Sequence, residues 1–374
     1  MVPEASSLFE RRDHPESGVA SFLLRRPAGW WLQSFYFTNP SLSADGRFLW
    51  CYAMRAAEER KTLAVADLVE GEVRILDDGH FGDASPMVDP DTGSCLWIGG
   101  PGRDQLMRRG PGPDDRTETL NRFPAELISG RKVRRIATHL TYTADRRCVV
   151  VDAEIGGEDW HVGLMPLDGG PLEIWHSFTR CYNHAQASPV DPERILLAQD
   201  FWDDPRTGER RTYDQRLWIL DRDRGPRALY PGPTPRHGHE WWAPRGDAVW
   251  YVHYGEGVRR HDLTTDAVAC HWSGHILHAH CDAQERFLVG DTWGKQGDDS
   301  VMGVDAYDLA SGAALTIAAP APLPSRKGHL HPHPQVTACG RFVVYTAFTA
   351  DGQTTVALCP VPQLRERLAE RAGT

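Results

Sequence analysis

Short apolar segments separated by turn residues run along the whole chain, and one arrangement of them repeats seven times. Each copy has a small residue or Asp, then Ala or Pro, usually a turn pair, and then an apolar strand. In the first copy, Ser43-Ala44-Asp45-Gly46 precedes Phe48-Leu49-Trp50. The seven copies begin at Ser43, Asp89, Thr143, Ser188, Ala243, Asp282 and Thr337. The six intervals from position 43 to position 337 cover 294 residues, which gives 49 residues each.

A repeat of this length, with a hairpin turn between apolar strands, is typical of a four-stranded propeller blade. Second hairpins are predicted after the repeated phrase, for example over residues 217–225 and 304–312. The one helical pattern covers residues 363–371. We therefore predict an all-β protein in which residues 1–374 form a single seven-bladed β-propeller domain with a short C-terminal helical tail.

Composition and charge limit the kinds of partner that this protein can bind. The 374 residues are 41% hydrophobic and 25% charged, and 13 Trp, 35 Gly and 27 Pro favour short strands and tight turns. The net charge of −10 argues against nucleic acids and anionic membranes, because both require a basic surface. A small anionic substrate remains compatible if a local cluster of Arg or a metal ion receives it.

Three sequence features favour a cytoplasmic protein. The first residues lack the apolar core of a secretory signal, no apolar run is long enough to span a membrane, and the eight cysteines are scattered singly. Free thiols within apolar strands are typical of a reducing compartment. The sequence does not predict an oligomeric state.

One position inside the repeat is repeatedly histidine. The residues four places before each phrase are Asn39, Ser85, His139, His184, His239, His278 and His333. Five consecutive histidines at one register are improbable by chance when the whole chain has 17. Equivalent positions of a propeller converge around its central axis, so these side chains are expected to line one pocket. The alternative is a core histidine that bonds the neighbouring blade, and it stays open above all for His139 and His184.

The segment His329-Leu330-His331-Pro332-His333-Pro334 predicts a metal site. Its prolines exclude a helix, and in an extended strand residues i, i+2 and i+4 share one face. Three neutral imidazoles on one face suit a divalent transition metal. The competing interpretation is a solvated histidine-rich edge.

From about residue 130 onward, several motifs make the chain resemble the oligogalacturonate lyases, a family of seven-bladed propeller polysaccharide lyases. The most specific motif is His331-Pro332-His333-Pro334. The others are Gln33-Ser34-Phe35-Tyr36, Arg216-Leu217-Trp218, His239-Glu240-Trp241-Trp242, and His278 followed by Val289-Gly290-Asp291. Blade four departs from the family, because Ala198-Gln199-Asp200-Phe201-Trp202 stands where the family has Cys-His-Glu-Gly-Pro.

The resemblance implies a divalent metal cofactor, most often Mn²⁺, held by His278, His331 and His333. The family's Gln ligand corresponds to Gly328 here, so His329 is a further candidate ligand. The resemblance also implies that His239 is the general base.

Substrate contacts are assigned on the same basis. The resemblance makes Arg216 a catalytic residue that binds substrate or stabilises charge. His184 and His237 are additional substrate-binding candidates. His237, two residues before His239, also competes with it for the role of base.

These residues predict a lyase that cleaves short oligouronates by metal-assisted β-elimination, with a small anionic oligosaccharide as its partner. An unperturbed imidazole titrates near neutrality and suits a base, and a guanidinium suits a carboxylate. The alternatives are a metal-dependent hydrolase or isomerase of sugar acids, and a non-catalytic propeller that binds a partner. Only an elimination would create a new C=C chromophore.

Overall fold

The repeated phrases correspond to seven small β-sheets in a ring, so the predicted seven-bladed β-propeller is confirmed. The computed structural model describes residues 6–56, 60–76, 86–294, 298–325 and 330–373. Ser85, Gly328 and His329 lie outside the described residues.

Two strands at the N-terminus precede the first complete blade. They are β1 (Phe9–His14) and β2 (Val19–Leu24). The strands of blade 1 are β3 (Trp31–Gln33), β4 (Phe48–Met54), β5 (Thr62–Asp67) and β6 (Glu72–Leu76). Those of blade 2 are β7 (Met87–Val88), β8 (Cys95–Gly99), β9 (Gln105–Arg109) and β10 (Glu118–Arg122). Each antiparallel sheet begins with its innermost strand.

A short helix, α1 (Ala125–Ile128), leads into blade 3. The strands of that blade are β11 (Val133–Arg135), β12 (Cys148–Ile155), β13 (Asp159–Pro166) and β14 (Glu173–Phe178). Those of blade 4 are β15 (Tyr182–Ala187), β16 (Arg194–Gln199), β19 (Leu217–Asp221) and β20 (Gly225–Ala228). A separate hairpin, β17 (Trp202–Asp203) and β18 (Arg210–Arg211), is inserted between β16 and β19.

The last three blades contain the remaining strands. Those of blade 5 are β21 (His237–Trp242), β22 (Ala248–His253), β23 (Gly257–Asp262) and β24 (Val268–Ser273). Those of blade 6 are β25 (Ile276–Cys281), β26 (Phe287–Gly294), β27 (Asp298–Asp308) and β28 (Ala314–Pro322). Blade 7 starts with β29 (Gln335–Val336), β30 (Phe342–Phe348) and β31 (Thr354–Pro360).

Blade 7 joins the two ends of the chain. Its strand order is β29, β30, β31, β2 and β1, and β2 is antiparallel to β31 with Phe22 opposite Leu358. Residues more than 300 positions apart in sequence therefore share one sheet, and this pairing closes the ring.

The repeated phrase forms the turn between the first and second strands of a blade. In blade 1 the amide of Gly46 donates to the carbonyl of Ser43 at 2.8 Å. Gly46, Gly246 and Gly340 have φ values of 71°, 66° and 66°, which L-residues with a Cβ rarely adopt. This explains why glycine recurs at that point of the phrase.

The C-terminal helix α2 (Val361–Ala372) confirms the helical pattern predicted for residues 363–371. Val361, Leu364 and Leu368 are buried against apolar side chains of blades 6 and 7. Their spacing places them on one helical face. Among the described residues, no helix is long and apolar enough to cross a membrane.

Candidate active site

The histidines predicted to converge do meet, and the ring of Tyr36 lies in their midst. Four imidazole rings have their centres between 4.3 and 6.2 Å from the centre of the Tyr36 ring: His139, His184, His278 and His333. The His239 ring lies against that of His278 in a tilted arrangement, with centres 3.9 Å apart and an interplanar angle of 36°. Histidines from blades 3 to 7 therefore surround one point of the central channel.

The segment that carries Tyr36 enters the channel between β3 and β4. Its backbone is held by blade 7, because Gln335 Nε2 donates to the carbonyls of Tyr36 at 3.3 Å and of Asn39 at 3.0 Å. Gln335 Oε1 in turn accepts the amide of Ser41 at 3.1 Å. A side chain from the start of the chain is thus fixed by one near its end.

Unusual backbone conformations point the histidines into the channel. His184, His239 and His333 have φ values of 53°, 48° and 46°. The strand pairing shifts register at the first two, between Asn183 and Gln186 and between Gly238 and Trp241. A non-glycine residue in this conformation costs about 1–3 kcal/mol and is concentrated at functional sites. The regular alternation of side chains is therefore interrupted where the site requires it.

Three of the histidines form a candidate metal centre. The ligand nitrogens of His278, His331 and His333 all lie within 4.8 Å of one another. Burial, together with the neighbouring His278 and His331, lowers the pKa of His333 well below its ordinary value. A neutral imidazole keeps a lone pair for a cation. His333 Nδ1 is buried and has no hydrogen-bond partner among the described residues, so this donor set fits a divalent transition metal.

Asp291 orients two of the candidate ligands. Its carboxylate accepts His278 Nδ1–H at 2.9 Å, the amide of His278 at 2.7 Å and the amide of His333 at 3.1 Å. This assigns the Nδ1–H tautomer to His278 and places the lone pair on its Nε2, a tautomer common among histidines that bind metal ions in proteins. Burial raises the pKa of Asp291 to about 7, although His331 and the two amides favour its charged form.

The strand predicted for residues 329–334 is wrong in its described part. Residues 331–334 belong to no strand, and His333 has a left-handed backbone. The rings of His331 and His333 have centres 5.6 Å apart in this irregular segment, whereas the prediction relied on alternation along a strand. The predicted ligand His329 lies outside the described residues.

His239 has the geometry of a base. Its Nδ1 donates to the carbonyl of Leu277 and lies 3.2 Å from the Tyr254 hydroxyl oxygen. Because a carbonyl only accepts, Nδ1 carries the proton and Nε2 keeps its lone pair. Burial, then His278 and Arg216, lower the pKa of His239 well below its ordinary value, so the ring is neutral at neutral pH.

Arg216 is buried between two carboxylates. Its Nη1 lies 2.9 Å from Asp200 Oδ1, and its Nε lies 3.2 Å from Glu240 Oε2. Burial alone would lower the pKa of Arg216, but Glu240 and Asp200 raise it well above its ordinary value. The guanidinium of Arg216, which the sequence predicts to bind substrate or stabilise charge, therefore already pairs with two carboxylates of the protein itself.

His184 lies beside this cluster. Its Nδ1 is 3.5 Å from Glu240 Oε1 and 3.3 Å from Nε2 of His139. Glu240 thus joins Arg216 to the pair of histidines from blades 3 and 4.

The structure does not bring His237 to the central cluster. Its ring lies near Tyr251, Tyr230 and His253, with centres 4.5, 5.0 and 5.0 Å away. The register shift after Gly238 separates His237 from His239. The prediction that His237 contacts substrate gains no support from these contacts.

Some residues of the site had no predicted role. The motifs that carry the family resemblance include Asp291, Tyr36 and Glu240, so the sequence did contain a signal for these three residues. Tyr254 stands in no such motif, and only the tertiary structure shows its contact with His239.

The fold and site together define a seven-bladed propeller with a histidine-lined centre, and solved structures share that fold. An oligogalacturonate lyase in complex with manganese superposes with a TM-score of 0.74 and 16% identity, over 95% of this chain and 96% of that chain. The oligogalacturonate lyase of Vibrio parahaemolyticus gives the same values. A chain of the mitotic checkpoint complex reaches a TM-score of 0.52 at 8% identity, over 90% of this chain and 92% of that chain.

Sequence comparisons add no closer relationship. No protein-family model matches the chain, and no curated protein sequence matches it. The resemblance drawn from the motifs is confirmed at the level of the fold: the chain has the fold of the oligogalacturonate lyases.

Proposed function

We propose that this protein is a lyase that cleaves short oligouronates by metal-assisted β-elimination. The observation that carries the proposal is the convergence of His278, His331 and His333, with the centre of the neutral His239 ring 3.9 Å from that of His278. A candidate metal site and a candidate base thus adjoin in one channel. The solved relative with manganese supports Mn²⁺ as the first metal to test.

His278, His331 and His333 would hold the metal, with Asp291 fixing the orientation of His278. When bound, a divalent cation would withdraw charge from the uronate carboxylate and so acidify the adjacent C5 proton. The fourth ligand is open, since His329 remains a prediction only.

His239 Nε2 is the atom proposed to remove the C5 proton. Its Nδ1–H points to the carbonyl of Leu277, so the free lone pair lies on the other ring nitrogen. After the transfer the ring is cationic, the electron pair of the C5–H bond forms the C4=C5 double bond, and the C4–O bond breaks. The departing sugar oxygen takes a proton from water. A positioned base contributes about 10²–10⁴-fold to rate.

Arg216 is proposed to act mainly on the charge of the site. Its fixed positive charge is among the causes that keep His239 neutral, and it neutralises the adjacent Asp200 and Glu240. We also propose that Arg216 and His184 contact the bound oligouronate at the edge of the channel.

A channel at the centre of a ring of blades suits a dimer or trimer better than a polymer. At a net charge of −10, a long polyanion would be repelled away from the site. The proposal therefore includes cytoplasmic action on transported fragments.

The experiment is to incubate the metal-loaded protein with saturated di- and trigalacturonate and with polygalacturonate while recording ultraviolet absorbance. Elimination creates a conjugated C4=C5 double bond, so absorbance should rise fastest with the short substrates. New reducing ends without a rise in absorbance would establish hydrolysis instead. No turnover of any uronate would favour the non-catalytic alternative, and preference for the polymer would refute the proposed substrate size.

A pair of variants tests the base. His239→Ala should lose most turnover while keeping its metal, whereas His237→Ala should keep both. The reverse pattern would show that the base is assigned to the wrong histidine of β21.

A further inference from the structure

The hydroxyl of Tyr254 reaches His239 from the strand connection that follows β22. The Tyr254 oxygen lies 3.2 Å from His239 Nδ1, and the two rings meet edge to face with centres 5.4 Å apart. Nδ1 is the nitrogen opposite the proposed basic Nε2. Tyr254 therefore contacts the ring nitrogen that is not proposed to take the substrate proton.

The approach of Tyr254 depends on Gly238. A Cβ added to Gly238 would overlap the Tyr254 hydroxyl and ring. The φ of Gly238 lies outside the left-handed region, so backbone freedom does not explain its presence. The absence of a side chain at Gly238 makes room for the hydroxyl beside His239.

The same blade provides a natural comparison. His237 contacts Tyr251 with ring centres 4.5 Å apart, and the Tyr251 hydroxyl accepts from the Tyr230 hydroxyl at 2.8 Å. β21 thus bears two histidines, each beside a tyrosine, but only one of these pairs lies at the central channel.

We infer that Tyr254 is a positioning residue for His239, and that Gly238 is the small residue that admits it. This inference rests on the proposed function, because it gives His239 the role of base. The Tyr254 oxygen and the Leu277 carbonyl both face Nδ1–H, so they hold one tautomer and one ring orientation. The same two acceptors stabilise the imidazolium that forms when Nε2 takes a proton.

The first test compares Tyr254→Phe with Tyr251→Phe in the full-length, metal-loaded protein. Losing a hydrogen bond to a group that becomes charged should lower kcat by about tenfold or more, with little change in KM or bound metal. Tyr251→Phe should leave kcat within about twofold of the unchanged protein, because its partner lies outside the channel. An unchanged kcat in Tyr254→Phe would overturn the inference.

The second test uses Gly238→Ala, with Gly232→Ala as its control because no atom lies within 4 Å of a Cβ at Gly232. Gly238→Ala should reproduce the kcat defect of Tyr254→Phe, and the double variant should be no worse than either single variant. Additive losses in the double variant would show that the two residues act separately.

A third measurement does not need turnover. In ¹⁵N-histidine-labelled, zinc-loaded protein, the imidazole signals that disappear in His239→Gln belong to His239. Their chemical shifts should report an Nδ1–H tautomer. Tyr254→Phe should shift or broaden these signals, whereas Tyr251→Phe should leave them unchanged. If the native protein turned over no uronate but these signals responded as expected, the proposed function would fail while the positioning contact stood. Unaltered His239 signals in Tyr254→Phe would refute the contact itself.

Discussion

At the residue scale, the centre of this propeller depends on side chains that fix the state of other side chains. Asp291 sets the tautomer of His278, and the Leu277 carbonyl sets that of His239. Each histidine then presents a defined nitrogen to the channel. The chemistry of the site therefore resides as much in these partners as in the imidazoles.

Asp291→Asn should weaken metal binding while the fold remains. The amides of His278 and His333 bond different oxygens of Asp291, so the single oxygen of Asn keeps only one of these bonds. The negative charge that orients His278 is also lost, so affinity should fall about 10–100-fold. Titration of the metal-free protein with Mn²⁺ measures this change. Asp305→Asn is the matched control, because Asp305 is a carboxylate of the same blade that bonds Thr292. Equal affinity in the two variants would mean that Asp291 does not support the metal.

His333 is a proposed metal ligand and has a left-handed backbone. His333→Asn should abolish stoichiometric metal yet keep the fold, since Asn tolerates this conformation. His333→Val should lose metal and also be less stable than His333→Asn by about 1–2 kcal/mol, because a β-branched residue is strained there. Elemental analysis and urea unfolding of the metal-free variants measure the two effects. Full metal content in His333→Asn would refute the ligand assignment.

At the scale of the element, the innermost strands of blades 4 to 6 are irregular near the histidines that they carry. β12 and β13 pair without interruption over eight residues, whereas β15, β21 and β25 each contain a register shift near their histidine. Strand β21 consequently presents His237 to the tyrosines of its own blade and His239 to the channel. One strand thus serves both a packed interior and the site.

His237 should make the protein less stable in acid. Burial, followed by His253 and Arg259, lowers its pKa to about 3. The folded state keeps it neutral while the unfolded chain binds a proton below its ordinary pKa of about 6.5. Stability is therefore lost as pH falls below about 6.5, by about 2 kcal/mol at pH 5 from this residue.

His237→Phe lacks the imidazole that takes up a proton on unfolding, so it should not show this residue's loss of stability in acid. The decrease in the free energy of unfolding between pH 7 and pH 5, measured with urea, should be smaller in this variant by about the same 2 kcal/mol. His176→Phe provides a comparison at a histidine of β14 on the outer edge of blade 3. An identical pH dependence in His237→Phe and the unchanged protein would show that His237 is not held neutral.

At the scale of the whole molecule, closure of the ring joins the first and last strands of the chain. Phe22 of β2 is 1% exposed and pairs with Leu358 of β31. Apolar side chains from both ends of the sequence pack in the same clusters. The site needs this closure, because Tyr36 follows the N-terminal strands and His333 precedes the C-terminal ones.

Phe22→Ala should therefore destabilise the entire propeller. Truncating a buried Phe costs about 3–5 kcal/mol, through lost burial and the cavity that remains. Urea unfolding monitored by tryptophan fluorescence should show a lower midpoint for the whole transition. Val69→Ala, at a position 57% exposed, should leave the midpoint nearly unchanged. An early partial transition in Phe22→Ala, with the main midpoint retained, would show that blade 7 unfolds independently of the rest.

The sequence by itself determined the number of blades and the convergence of the histidines. The number of blades follows from seven copies of a repeat of 49 residues. The convergence follows because equivalent positions in a closed ring are arranged symmetrically around one axis. The fold class and the C-terminal helix followed from the local periodicity of apolar residues.

Only the tertiary structure decided how the histidines face one another. The left-handed conformations of His184, His239 and His333 are maintained by packing between blades, and local residue preferences disfavour them. The contacts of Tyr36 with four blades, of Asp291 with His333, and of Tyr254 with His239 join distant or irregular segments. A periodic pattern records which side of a strand is buried, and it contains no information on which partner a side chain meets across a closed ring.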